Sequence, residues 1–140
     1  MKLLTLTKGV LLLMLMLSFN SVQAADQVYT GYFSNKAVSG FDVVAYFSEQ
    51  KPVEGSSKFT LQYKGAKWYF SSQQNLDKFK NNPDYFAPQY GGHCAWVMAD
   101  NKTAAGNAPF WNIYKDKLYL NYDQQVQDNW LVNKDAFISK

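Results

Sequence analysis

The alternation of apolar and polar residues between positions 58 and 70 constrains the fold of this chain more than any other feature. Phe59, Leu61 and Tyr63 alternate with polar residues, and a Lys-Gly step follows them. An aromatic stretch, residues 67–70, then continues the chain. Alternation with a period of two, followed by a glycine-containing turn and a second β-prone run, is typical of an antiparallel hairpin. The segment therefore predicts two paired strands.

A second hairpin and two helices complete the predicted architecture. Residues 110–121 form the second hairpin, with a Lys-Asp turn at its centre. Residues 72–80 form a helix that a serine can cap and that ends before Pro83, because proline disfavours helical geometry in the residue before it. Asp123 can cap a final helix. We therefore expect an α+β fold, in which a small antiparallel sheet built from two hairpins carries packed helices. No internal repeat is visible in the sequence.

Three apolar segments leave their secondary structure open. Residues 41–47 suit either a buried strand or a short helix capped by Asp42. Residues 28–33 suit a strand or a docking arm, and residues 95–99 suit a helix or a strand.

The first 24 residues have the pattern of a secretory signal peptide. Two lysines precede a continuous apolar run, residues 10–19, and small residues lead to a cleavage site after Ala24. The run is shorter than the roughly 20 apolar residues of a spanning helix, although an uncleaved membrane anchor is the alternative. No cysteine lies at the cleavage site, so a lipoprotein is not expected. We predict a periplasmic or secreted protein with one domain, residues 25–140, whose only membrane contact is through the signal peptide.

The charge pattern argues against nucleic acid as a partner. All 14 basic residues are lysines, and two of them lie in the predicted signal peptide, which leaves twelve lysines against 11 acidic residues. Arginine, which clamps phosphates and guanine bases in a bidentate manner, is absent from the sequence. We therefore expect neither nucleic-acid binding nor a strong anion site.

The chain's only histidine and only cysteine are neighbours, His93 and Cys94, and they follow a Gly-Gly step. Imidazole and thiolate are good ligands for copper and zinc. Adjacent side chains on a strand face opposite sides, but a glycine turn could bring these two together. Met98 would share a helical face with Cys94. We predict a soft-metal site, with copper first, that uses Cys94, His93 and Met98 as an optional third ligand, for metal handling or sensing rather than catalysis.

Several alternatives to a metal site remain open. A second copy of the chain could complete the coordination sphere as a homodimer. Cys94 could instead be a buried structural residue in a non-catalytic module that binds a small molecule or a partner protein. A thiol enzyme would need His93 as its base, yet adjacent residues seldom present a cysteine and a histidine at hydrogen-bonding distance, and we expect no catalytic residues. The aromatic residues could line an apolar ligand pocket, but a core role explains most of them.

Two short segments, Tyr-Gly-Gly-x-Cys-Ala and Leu-Tyr-Leu-Asn, are the most specific family signals in the sequence. Through them the sequence resembles YHS domain proteins of the small exported bacterial type. The resemblance covers nearly all of the chain after the signal peptide and rests on residues 40–47, 63–72, 88–95 and 117–122, with Asn75, Phe79, Asn82, Pro83 and Tyr85.

The resemblance implies metal binding but little else about function. Similar modules occur in metal-transporting ATPases and metal-resistance proteins, in which heavy-metal binding is inferred. This chain departs from the common pattern at His93, where a tyrosine is expected, and at Val43, where a proline is frequent. It also lacks the several cysteines of the metal-binding relatives.

Overall fold

A computed structural model of the chain describes residues 27–140, so the predicted signal peptide lies outside the described residues. This part of the chain contains six α-helices, four strands and two 3-10 segments. In chain order they are a 3-10 segment (Ala37–Gly40), α1 (Val43–Ser48), β1 (Ser56–Tyr63), β2 (Ala66–Phe70), α2 (Gln73–Asn81), α3 (Pro83–Phe86), a second 3-10 segment (Gln89–Gly92), α4 (Ala95–Met98), β3 (Asn107–Tyr114), β4 (Lys117–Asn121), α5 (Gln124–Val132) and α6 (Lys134–Ile138). Within residues 27–140 we find no helix whose length and apolar character would let it cross a membrane.

Both predicted hairpins are present, and the predicted α+β class is confirmed. β1 pairs with β2 in antiparallel fashion, with Tyr63 opposite Ala66 next to the turn. β3 pairs with β4 in the same way, with Tyr114 opposite Lys117. The hairpins form two separate two-stranded sheets rather than one joined sheet.

Side-chain caps start three of the helices where the sequence indicated them. The Ser72 hydroxyl accepts a hydrogen bond from the amide of Asn75 at 3.1 Å and begins α2. The Asp123 carboxylate accepts one from the amide of Val126 at 2.8 Å and begins α5. Asp42 caps α1, which settles the ambiguous segment 41–47 as a helix. Each cap satisfies an amide that the helix itself leaves without a partner.

The described chain consists of two similar units, residues 37–86 (the first unit) and residues 89–138 (the second unit). Each unit runs in the order 3-10 segment, helix, hairpin, helix, helix, and the strands and long helix of the second unit start 51 positions after those of the first. The 3-10 segments share a left-handed kink, with φ values of 50°, 54° and 86° at residues 38–40 and of 57°, 63° and 86° at residues 90–92. The expectation that the chain has no internal repeat is therefore wrong. Identical side chains recur 51 positions apart between the units, namely Tyr63 and Tyr114, Lys64 and Lys115, and Asp84 and Asp135, although most matching positions carry different residues.

Matching aromatic pairs show that the two units also pack alike. The Trp68 and Phe79 rings lie 4.8 Å apart in the first unit. Their counterparts 51 positions later, Tyr119 and Trp130, lie 5.0 Å apart in the second unit. In each pair the strand residue contacts the long helix that follows it, so the same hairpin-to-helix packing occurs twice.

One hydrophobic core joins the two units. The largest buried cluster includes Trp68, Phe70 and Phe79 from the first unit together with Leu118 and Leu120 from the second. A smaller cluster belongs to the second unit and consists of Ala95, Tyr119 and Trp130. Burying apolar surface from both units in one cluster couples their stabilities.

Candidate functional site

The kink in the second 3-10 segment positions the candidate site. Gly91 has a φ of 63°, and a Cβ at this position would collide with the backbone oxygen of Gln27, so glycine is required for two reasons. The amide of Tyr29 donates a hydrogen bond to the oxygen of Gly91 at 2.9 Å. This contact holds residues 27–34, the N-terminal arm, across the kink and next to His93.

His93 and Cys94 follow the kink in an extended conformation and have different neighbours. The His93 ring lies against the Tyr29 ring, with 5.3 Å between their centroids. The Cys94 side chain is fully buried, and its Sγ lies 3.6 Å from Oδ1 of Asn121. Adjacent extended residues direct their side chains to opposite sides of the backbone. The imidazole and the thiol therefore contact different parts of the fold.

Met98 lies one helical turn after Cys94. Its amide donates to the oxygen of Cys94 at 3.4 Å, and the side chain is half-buried. In the described part of the chain, no group of three or more His, Cys, Asp or Glu side chains could hold a metal ion. Methionine is not among these residue types, so metal ligation by Cys94, His93 and Met98 stays a prediction.

Cys94 occupies the position in the second unit that Asp42 occupies in the first. Asp42 caps α1 by accepting from the amide of Val44 at 2.9 Å. A thiol cannot replace that carboxylate, and the matching amide of Trp96 instead donates to Oδ1 of Asn121 at 3.2 Å. Asn121 thus caps α4 from the end of β4, and its Nδ2 is buried without a hydrogen-bond partner.

His93 lines a surface cavity of about 700 Å³. The cavity wall combines aromatic, small and polar residues, and His93 contributes an imidazole ring to it. The lining residues are Tyr29, Gly31, Tyr32, His93, Thr103, Ala104, Ala105, Asn107 and Tyr122. The side-chain amide of Asn107 donates to the oxygen of Tyr122 at 2.6 Å, which fixes the orientation of the Asn107 side chain. Nδ1 of His93 is buried and has no hydrogen-bond partner.

The first unit shows what the fold itself requires at the position of His93. Phe41 lies 52 positions earlier and makes the same local contacts. Its amide donates to the oxygen of Val38 at 3.0 Å, as the amide of His93 donates to that of Tyr90 at 3.1 Å. Because the same kink accommodates a phenyl ring, the imidazole nitrogens of His93 are not needed for this backbone.

Sequence reasoning selected His93 but missed the residues around it. Tyr29, Asn107 and Tyr122 lie between 14 and 64 positions from His93 in the sequence, and no spacing rule connects them. The one available signal was the apolar segment 28–33, interpreted as a strand or a docking arm. In the structure it is an irregular arm that covers one side of the cavity.

Comparison with protein families identifies part of the chain. Residues 44–90 match the family model of the YHS domain, and this match spans most of the first unit. His93, Cys94 and Met98 lie beyond the matched residues. No curated protein and no solved structure matches the chain. The predicted resemblance to YHS domains is thus confirmed over residues 44–90.

Proposed function

We propose that the chain is a non-catalytic binding module that holds a small uncharged molecule in the cavity around His93. One observation carries this proposal: His93 lines a cavity and has a buried Nδ1 with no partner among residues 27–140, at a position where the first unit uses Phe41. Buried polar atoms in folded proteins are nearly always hydrogen-bonded, so an orphaned one at a cavity suggests an absent partner.

The composition of the cavity wall indicates the kind of molecule. Among the residues that the structure describes, the wall contains no lysine, aspartate or glutamate, so a charged ligand would lose hydration without gaining an opposite charge from them. Three tyrosines offer aromatic faces, and the small residues glycine and alanine leave room for close approach. His93 and Asn107 supply hydrogen-bonding groups. An uncharged ring compound with one hydrogen-bonding group fits this combination.

Phenol and indole are suitable probes, and the single histidine makes the test site-specific. We expect both compounds to shift the His93 ring protons in NMR spectra in a saturable manner. The His93→Phe variant copies the first unit, so it should fold normally and bind at least about tenfold more weakly, as followed at the amides of Asn107 and Tyr122. Tyr114→Phe, which lies outside the cavity, is the matched control. Equal binding by wild type and His93→Phe, or no saturable shift, would refute the proposal.

A soft metal ion is the second candidate ligand. Metal binding is inferred for YHS domains, and the helical turn from Cys94 to Met98 places a thiol and a thioether on one segment beside His93. Cys94 is fully buried, so a metal could reach its Sγ only after the covering side chains move. Copper(I) is the preferred ion, because thiolate and thioether ligands select it. A second copy of the chain could supply the remaining ligands.

Anaerobic titration with Cu(I) tests this candidate. Stoichiometric binding that is lost in Cys94→Ala and weakened in His93→Tyr would support the metal site. Equal, weak binding by all three proteins would eliminate it. A thiol reagent provides a second measurement: a purely structural Cys94 reacts only after denaturation, whereas a metal-accessible thiol reacts in the folded protein.

We also propose that the chain acts outside the cytoplasm, in the periplasm or after secretion. The signal-peptide pattern of residues 1–24 supports this location. Mass spectrometry of the exported protein should find a chain that begins after Ala24. An intact precursor confined to the cytoplasm would contradict export.

A further inference from the structure

A second cavity, the junction groove, lies between the two units and does not include His93. It has a volume of about 520 Å³. Lys64, from the turn of the first hairpin, and Lys117, from the start of β4, both line it although 53 positions separate them in the sequence. The remaining wall includes Val28, Pro88 and Tyr90.

The described lining of the junction groove contains more cationic than anionic side chains. Among the described residues that line the groove, Asp84 is the only carboxylate, and its Oδ1 is already engaged. The hydroxyl of Tyr63 donates to this oxygen at 2.8 Å, and Nζ of Lys64 lies 3.4 Å from it. Lys117 has no ion pair or side-chain hydrogen bond with any residue in the described part of the chain. The groove therefore presents one uncompensated ammonium group and a second one that shares an occupied carboxylate.

We propose that the junction groove binds a small organic anion, with a carboxylate placed at Lys117 and Lys64. The apolar body of the ligand would lie against Val28, Pro88 and the ring of Tyr90. This site is separate from the His93 cavity and does not depend on the function proposed for it.

The lysine chemistry narrows the class of anion. An ammonium group acts as a compact point charge and lacks the planar fork with which arginine grips phosphate. Because Lys117 supplies a single uncompensated positive charge, the groove suits a ligand with one carboxylate better than a polyanion. The apolar side chains would add affinity only for a ligand with a hydrocarbon or aromatic part. The sequence did not indicate such a site, because the two lysines are distant in the sequence and no arginine is present.

Benzoate is the probe, and uncharged benzamide is its matched control. Trp68 lines the groove and its indole N–H donates to the oxygen of Tyr63 at 2.9 Å, so the indole NMR signal reports on the surroundings of this site. We expect benzoate to shift the Trp68 indole and the amides of Gly91 and Lys117 in a saturable manner. Benzamide should bind there at least about fivefold more weakly, because it cannot form the charge-assisted contact.

Two lysine variants distinguish specific binding of benzoate in the groove from general electrostatic attraction between benzoate and the lysines of the protein surface. Lys117→Gln should weaken benzoate binding by about five- to tenfold. Lys58→Gln removes the same charge from β1, outside the groove, and should leave binding unchanged. Equal losses in both variants, equal binding of benzoate and benzamide, or shifts confined to the His93 ring would each overturn the proposal. Because the His93 ring reports separately on the other cavity, the failure of one site is distinguishable from the failure of the other.

Discussion

The Asp42 side chain connects several elements of the first unit through hydrogen bonds. Its fully buried carboxylate accepts hydrogen bonds from the amides of Val44 and Ala45, at 2.9 and 3.3 Å. Its other oxygen accepts from the amide and hydroxyl of Ser71, at 2.8 and 2.7 Å, and from Nδ2 of Asn75 at 2.7 Å. One side chain thus links α1, the end of β2 and α2. Both carboxylate oxygens are used within the fold, which makes Asp42 a structural residue rather than a ligand-binding one.

Replacing Asp42 by asparagine should destabilise the protein by roughly 2–4 kcal/mol, because an amide nitrogen would then face donors that need an acceptor. Asp123→Asn is the control. Asp123 caps α5 with one hydrogen bond, and asparagine caps helices about as well as aspartate, so the expected loss is below about 0.5 kcal/mol. Urea denaturation followed by circular dichroism measures both changes. Similar, small losses in the two variants would show that Asp42 does not have this role.

At the scale of elements, the same surface contact attaches each hairpin turn to the short helix that ends its unit. In the first unit Tyr63 and Lys64 contact Asp84. In the second unit Tyr114 and Lys115 contact Asp135, with Nζ of Lys115 2.9 Å from the carboxylate. The hydrogen bond from Tyr63, followed by the charge of Lys64, lowers the pKa of Asp84 below the ordinary aspartate value. The hydrogen bond from Lys115, followed by that from Tyr114, lowers the pKa of Asp135.

Each tyrosine should change the pKa of the aspartate in its own unit only. Tyr63→Phe should raise the pKa of Asp84 and leave that of Asp135 unchanged, and Tyr114→Phe should do the reverse. A lowered pKa in the folded state means that the contact stabilises the fold above the ordinary aspartate pKa. This contribution is lost as the pH falls through the lowered folded value. Both carboxyls are fully exposed, so salt should weaken the effect. NMR titration of the carboxyl carbons measures the pKa values of Asp84 and Asp135 in both variants. A pKa that responds equally to Tyr63→Phe and Tyr114→Phe would contradict the prediction.

At the scale of the whole molecule, the two units share one core and should unfold together. Leu118 and Leu120 of the second unit are fully buried in the same cluster as Trp68 and Phe79 of the first. A small domain with one continuous core normally unfolds in a single cooperative transition.

Leu120→Ala should lower the stability of both units by about 2–4 kcal/mol, since it opens a cavity in their shared core. The folded-state indole signals of Trp68 and Trp130, one in each unit, should disappear at the same urea concentration in wild type and variant. Val132→Ala, at a position 87% exposed, should change the stability by less than about 0.5 kcal/mol. Separate midpoints for the two indole signals would show that the units unfold independently.

Local sequence patterns predict the hairpins and the capped helices, because the residues that signal each of these elements lie close together in the sequence. The alternation of Phe59, Leu61 and Tyr63 before a turn selects a strand that pairs with the next one. Ser72 and Asp123 mark helix starts through contacts only three residues away. The likeness between the two units leaves only a weak trace in the sequence, since identical residues such as Tyr63 and Tyr114 alternate with positions such as Phe79 and Trp130 that differ.

The surroundings of the residues with functional chemistry depend on the tertiary structure. Cys94 is buried against Asn121, His93 contacts Tyr29, and Lys64 and Lys117 line the same groove, although the members of each pair lie 27 to 64 positions apart in the sequence. Contacts over such distances depend on how the two units pack, and no local pattern encodes that packing. The sequence therefore identified the unusual side chains, and the fold determined which of them lie beside a cavity.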